Sequence, residues 1–202
     1  MDVVGLSKNG IENVVANLGT SLTDKQILTL NQFFDDIIIC FDGDESGYKA
    51  ALRAPDHAWL RPTKFIQVME SGLDKLSDIF EKVAIETKDE IPKEIMDKYK
   101  KAPFRAPLII IVVSSYKHHP KVPNIEQKLS SAAAAQNILL AADDLGYGAI
   151  WRTGIFAFNE NINKYLNLSD DDTVIGYLYI GTKEGKQKNI PNLDIKDFVS
   201  NI

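Results

Sequence analysis

The run Leu108-Ile109-Ile110-Ile111-Val112-Val113 constrains this chain more than any other segment. It is the longest purely aliphatic stretch and the strongest strand signal, because β-branched side chains fit a pleated, buried surface. It is far too short for a bilayer helix, which needs about 18 or more consecutive apolar residues. The expectation is therefore a globular protein with no membrane partner. The 202 residues allow one full domain, or one domain with a fragment attached. With 45% apolar and 25% charged residues, wholesale disorder and collagen-like repeats are excluded. The segment Met1-Asp2-Val3-Val4 has no basic region ahead of an apolar stretch, so no secretion signal is expected. The single cysteine, Cys40, can form no internal disulfide or Cys-based zinc site, and the expected setting is the reducing cytoplasm.

A formal net charge of −5 argues against non-specific nucleic-acid binding. That charge is concentrated at the front. Residues 1–53 hold eight acids and four bases, whereas the remainder holds 20 acids and 19 bases. The asymmetry suggests two origins for the two parts.

The rest of the pattern is mixed α and β. A helix starting at Ser21-Leu22-Thr23-Asp24 and a buried parallel strand over Asp36–Phe41 are expected at the front. A helix follows over about Ser46–Arg53, stopped near Pro55. Lys64–Met69, Ala149–Trp151 and Thr173–Ile180 read as strands. Leu73–Ala84, Ile91–Lys101 and Leu129–Leu145 read as helices, the last stopped by Gly146 just past its C-terminus.

Two stretches carry recognisable chemistry. Met1-Asp2-Val3-Val4-Gly5-Leu6, Val14–Thr20 and Cys40-Phe41-Asp42-Gly43-Asp44-Glu45-Ser46-Gly47 resemble the Toprim domain of a bacterial replicative primase. That resemblance implies two-metal chemistry, with Asp42 and Asp44 converging on Mg²⁺ that holds phosphate oxygens. By residue type alone, Asp42-Gly43-Asp44 could equally be a solvated turn capping a helix.

The second stretch comprises Arg53-Ala54-Pro55-Asp56-His57, Lys101–Ile110, Lys121-Val122-Pro123 with Glu126-Gln127, Gly146-Tyr147-Gly148-Ala149-Ile150-Trp151-Arg152-Thr153-Gly154, and Ile175–Thr182. In that order they resemble the compact subgroup of nitroreductase-like flavoproteins, the NAD(P)H nitroreductases. The resemblance implies an α+β fold, a mixed sheet flanked by helices, preceded here by a partial Toprim α/β fragment. The corresponding domains are residues 1–53 and 54–202. It also implies an FMN enzyme that uses NAD(P)H as co-substrate and a small-molecule electron acceptor. The enzyme would be a homodimer with flavin at the subunit interface. Arg53 and His57 would touch one FMN, and Trp151, Arg152 and Thr153 would touch it from the partner. Ala141, Ala142, Asp143, Asp144, Leu145 and Gly146 would lie near the nicotinamide nucleotide. Arginine suits both reduced flavin and phosphate, being a planar fork of donors with a fixed charge.

Local readings stay open beside these. Arg152 could be a surface ion-pair residue, Asp56-His57 a loop-capping pair, and Trp151 core. The Ala132–Ala135 run means close helix packing, with a dimer seam as one use. His118-His119-Pro120 looks like half a metal site, though no acid or Cys is spaced to complete it. The family's Arg-Arg-Ser-type phosphate motif has no counterpart, since residues 1–50 contain no arginine, and its usual Gln-Pro-Trp is Arg61-Pro62-Thr63. Arg61 is the nearest sequence candidate for the missing charge. The leading function is an FMN-dependent NAD(P)H oxidoreductase. The alternatives are a Toprim-type nucleotidyl transferase and a non-catalytic chimeric remnant. In each case residues 1–43 are expected to pack poorly or adaptively, because half a sheet leaves edges uncovered.

Overall fold

The aliphatic run Leu108–Val113 lies in a central strand, β2 (Leu108–Ser115), where seven of the eight residues are buried. The computed structural model describes residues 45–88, 90–184 and 192–200. The expected front helix, the strand over Asp36–Phe41, Cys40, Asp42, Asp44 and the packing of residues 1–43 all lie outside the described residues.

The elements run α1 (Glu45–Ala51), β1 (Thr63–Met69), α2 (Ser71–Thr87), α3 (Lys93–Lys101), β2, α4 (Asn124–Asp144), β3 (Tyr147–Arg152), α5 (Gly154–Ala157), α6 (Asn161–Tyr165) and β4 (Asp172–Thr182). The strands form one sheet in the order β1-β2-β4-β3. Every pairing among the described residues is antiparallel.

Alternation along β2 builds two cores, because successive side chains point to opposite faces. Ile109, Ile111 and Val113 join Phe80 and Val83 of α2, Phe156 of α5 and Ile162 of α6. Ile110 and Val112 face the other way, against Ala51 of α1 and Ala134, Ala135 and Ile138 of α4. Aromatic rings lock the first core: Phe80 and Phe156 stack at 3.9 Å between centroids, and Phe80 meets Tyr177 edge-on at 5.5 Å.

β4 carries a bulge. Val112 pairs with Gly176 and Val113 with Val174, so Ile175 is an extra residue on that strand. The inserted residue reverses the alternation beyond it. Val174 and Tyr177, an odd number of positions apart, therefore both reach the first core.

Several boundaries differ from the sequence expectation for local reasons. α4 begins at Asn124, since Pro123 occupies its N-cap position, and α3 begins at Lys93 after Pro92. Proline supplies no N–H and is well suited to a helix start. Gly146 sits just past α4 with φ +86°, its N–H bonded to the Asp143 carbonyl at 2.9 Å, the left-handed stop the sequence announced. The short helices α5 and α6 carried no periodic signal.

Candidate functional site

Two groups of expected site residues lie toward opposite edges of the sheet. α1 packs on α4, where Asn137 Nδ2 donates to the Ala50 carbonyl at 3.1 Å. It also lies over β1, through Tyr48 against Phe65 and a Tyr48–Gln67 hydrogen bond of 3.1 Å. Arg53 follows in the turn after α1, exposed, with no carboxylate partner among the described residues.

The segment from Pro55 to Arg61 is pinned to the first turns of α4. Ser130 Oγ donates to the Pro55 carbonyl at 2.6 Å, and His57 Nδ1 lies 2.6 Å from Glu126 Oε2. A carboxylate only accepts, so the His57 N–H donates. Asp56 accepts the Arg61 backbone N–H at 2.8 Å, so the loop-capping role belongs to Asp56 while His57 serves α4. Arg61 turns toward this loop: Nη1 donates to the Leu52 carbonyl, Nε lies 3.8 Å from Asp56, and the guanidinium, half exposed, sits 4.8 Å from the Trp59 ring centroid. Ala58, Trp59 and Arg61 all take positive φ (58°, 58° and 51°), and Trp59 is 79% exposed.

The second group lies at the opposite edge. Among the described residues β3 pairs only with β4, placing Trp151 across from Leu178 and Arg152 across from Tyr177. Trp151 lies half-buried against the second core, and its Nε1–H donates to the Ile175 carbonyl at 3.3 Å. The indole crosses bare backbone. A Cβ built on Gly176 would sit 2.0 Å from Trp151 Nε1 and 3.0 Å from the Arg152 carbonyl oxygen. Trp151 is therefore partly core, and its seat depends on a glycine. Arg152 points to the other face, exposed, with no ion pair among the described residues. Thr153 occupies the N-cap position of the four-residue α5, with φ −118° and ψ −80° and no side-chain cap hydrogen bond.

Ala141–Gly146 form the C-terminal turn of α4 beside β3. Ala142 is buried, and Asp143 binds Lys183 Nζ at 2.6 Å. The Ala132–Ala135 run does pack closely, with Ala134 and Ala135 buried against this chain's own sheet. His118 and His119 gather no ligand set: no group of three or more His, Cys, Asp or Glu converges among the described residues.

The face of β3 and β4 that carries Arg152 is an open cleft of about 680 Å³. Strand residues Arg152, Ile150, Gly148, Tyr179 and Gly181 line it together with Arg105, Pro107, Lys183 and Glu184. Arg105 and Tyr179 were not singled out in the sequence. Arg105 lies inside a quoted motif, but no local pattern set it apart. Burial pushes the Tyr179 phenol up, while Arg105 and Arg152 both pull it down, and burial prevails. Both guanidinium groups thus act on one hydroxyl. Within one chain no hydrogen bond or ion pair among the described residues joins Arg53 or His57 to Trp151–Thr153. β1 and β3 are three strand spacings apart, roughly 14 Å.

No helix among the described residues is long and apolar enough to cross a membrane. The Toprim domain profile matches residues 1–68. Over 54 residues the chain is 48% identical to a DNA primase of Pseudomonas aeruginosa, which covers 27% of this chain and 8% of the primase. The Nitroreductase family profile matches residues 45–182. "Putative NAD(P)H nitroreductase YdjA" of Escherichia coli (strain K12) is 34% identical over 147 residues, 71% of this chain and 79% of that protein. A solved nitroreductase-like protein from Bacillus cereus superposes with a TM-score of 0.65 at 21% identity, covering 78% of this chain and 82% of its own. With a profile that spans α1 through β4 and a relative matched over most of its length, this chain belongs to the Nitroreductase family.

Proposed function

We propose that this chain is an FMN-dependent NAD(P)H oxidoreductase that reduces nitro compounds, quinones or similar acceptors. The observation that carries the reading is Arg152 at the mouth of an open cleft, uncompensated among the described residues, on a strand whose register is fixed by Gly176 and Trp151. The residues present fit a flavin mononucleotide. The cleft lies within the ~300–1,000 Å³ range of small-molecule sites, and it offers aromatic and glycine surface beside two guanidinium groups. When bound, the flavin supplies two-electron chemistry between nicotinamide and acceptor. The chain's residues bind and orient it. Arg152 opposes the charge of the reduced ring, and Trp151 and Thr153 set the strand end.

Two copies complete the site in this reading. Arg53 and His57 of one would meet Trp151, Arg152 and Thr153 of the other, and Ala141–Gly146 would lie near the nicotinamide nucleotide. The wide separation of the two groups within one chain supports such sharing. So does α4, which is apolar on two faces. Gln127, Ser131, Ala134, Ala135 and Ile138 are buried, whereas Ile125, Leu129 and Leu140 are each about 60% exposed. At about 100° per residue those three lie within roughly 60° of one another, nearly opposite the buried face. A second copy would cover that stripe. The cytoplasm, suggested by a lone cysteine, is the proposed setting.

The domain division proposed is 1–53 and 54–202, with a join near Lys49–Ala54. The two family profiles overlap over 45–68, the span that contains α1. α1 also packs on α4, so this helix serves the nitroreductase core.

Purified protein should show flavin absorbance and should oxidise NAD(P)H when FMN and an acceptor are added. Colourless protein that takes up no FMN would refute the reading. The Toprim match favours one alternative, a metal-dependent nucleotidyl transferase using Asp42 and Asp44. Template-dependent primer synthesis lost on Asp42→Ala would establish it.

A further inference from the structure

We propose that Trp59 is a stacking platform for the electron acceptor, and that it selects flat, electron-poor rings, nitroarenes and quinones, over acceptors without a ring. The proposal rests on the flavin reading above and narrows its acceptor class. In that reading His57 stands at the flavin, and Trp59 lies two residues further along the same loop. No large apolar side chain among the described residues is more exposed than this indole, at 79%, and it belongs to neither core. A single exposed hydrophobic residue ordinarily means little. Three features set this one apart.

The first is backbone strain. Ala58, Trp59 and Arg61 are three of the five non-glycine residues with positive φ among the described residues. The β-carbon is crowded in that region, and such conformations persist only where the surroundings hold them. The second is the hold itself. Ser130 Oγ donates to the Pro55 carbonyl, Glu126 accepts from His57, and Asp56 accepts the Arg61 backbone N–H, so the loop is tied on both sides of Trp59. The third is Arg61, whose guanidinium lies over the indole at 4.8 Å from its centroid and is tethered to the Leu52 carbonyl. A cation seats on the electron-rich face of an indole and restrains the ring. The fold thus maintains a held indole, with a guanidinium on one face and most of its surface open to solvent. An indole has only two side-chain torsions, so a ligand stacking on it orders little. Its face carries negative potential. A nitroarene or quinone ring, drained of π density by its oxygens, presents the opposite sign.

The test is a calorimetric titration of the oxidised, FMN-loaded full chain with 4-nitrobenzamide, which is not turned over without NAD(P)H. Wild type, Trp59→Ala, Trp59→Leu and Trp59→Phe are compared, with thermal melts to check folding. Loss of the stack should weaken binding about 3- to 10-fold in Trp59→Ala. Trp59→Leu, apolar but without a π face, should behave like Trp59→Ala, whereas Trp59→Phe should recover most of the affinity. In turnover, the ratio of kcat/KM for menadione over ferricyanide, an acceptor with no ring, should fall by a similar factor in Trp59→Ala. Equal 4-nitrobenzamide affinity in wild type and Trp59→Ala would overturn the platform and leave the flavin reading standing. A Trp59→Ala protein changed only in self-association would overturn it too, assigning the indole to a contact between copies. Weaker NADP⁺ binding alone would do the same, assigning the indole to the nicotinamide ring. Wild type that takes up no FMN would refute the flavin reading, and this proposal with it.

Discussion

Gly176→Ala is the sharpest perturbation this fold allows. The added methyl would sit 2.0 Å from Trp151 Nε1, 2.6 Å from Cδ1 and 3.0 Å from the Arg152 carbonyl oxygen. The first two contacts are impossible, so the indole must leave its seat. Forced repacking of this kind costs about 1–3 kcal/mol. The displaced indole also loses the 3.3 Å hydrogen bond to the Ile175 carbonyl, worth roughly 0.5–1.5 kcal/mol. The sum is about 2–4 kcal/mol, or a fall in Tm of about 5–15 °C for a chain of this size. Trp151 and Arg152 are neighbours at the end of β3, so FMN affinity should fall too. The assay is a thermal melt followed by circular dichroism and tryptophan emission, run as a double-mutant cycle with Trp151→Ala. In the Trp151→Ala background the cost of Gly176→Ala should drop by at least about 1 kcal/mol, leaving mainly the backbone contact with Arg152. A Gly176→Ala protein that melts within a degree of wild type, or an equal cost in both backgrounds, would refute this account of the β3 edge.

Phe80→Ala removes the ring that both Phe156 and Tyr177 pack upon and should cost about 3–5 kcal/mol by urea denaturation. Burial pushes the Asp172 carboxyl up, but hydrogen bonds from Ser115 and Ser169 and the Lys64 ammonium 3.5 Å away outweigh it, so its pKa is lowered. Its stabilisation is therefore present above the unfolded carboxylate range near pH 4 and is lost as pH falls through the lower folded value. Asp172→Asn should flatten that acid limb in melts between about pH 2 and 5, and an unchanged limb would place the acid sensitivity elsewhere. If two copies share each site, Arg53→Ala and Arg152→Ala should each abolish NAD(P)H oxidation alone. Subunits mixed after dissociation should recover about a quarter of wild-type activity, because half the dimers regain one intact site. No recovery would argue for sites made within single chains.

The amino-acid order alone determined what depends on neighbours in sequence. Five β-branched residues in a row specified β2, and Gly146 announced the end of α4 because a left-handed residue there is a local requirement. The motifs from Arg53–His57 to Ile175–Thr182 identified the family, and the chemistry of arginine suggested an anionic ligand. Tertiary structure decided what depends on residues far apart. The bulge at Ile175 turns Tyr177 into the first core, and no pattern within β4 predicts it, because a bulge is defined against its partner strand. The folded chain brings Arg105 and Arg152, 47 positions apart, to one cleft. It also sets Arg53 and Trp151 at opposite edges, so the sequence could name both but not show that one chain keeps them apart. Local conformational preferences act over a few residues, whereas charge convergence and steric seats such as Gly176 beneath Trp151 are set by pairing that only the folded chain possesses.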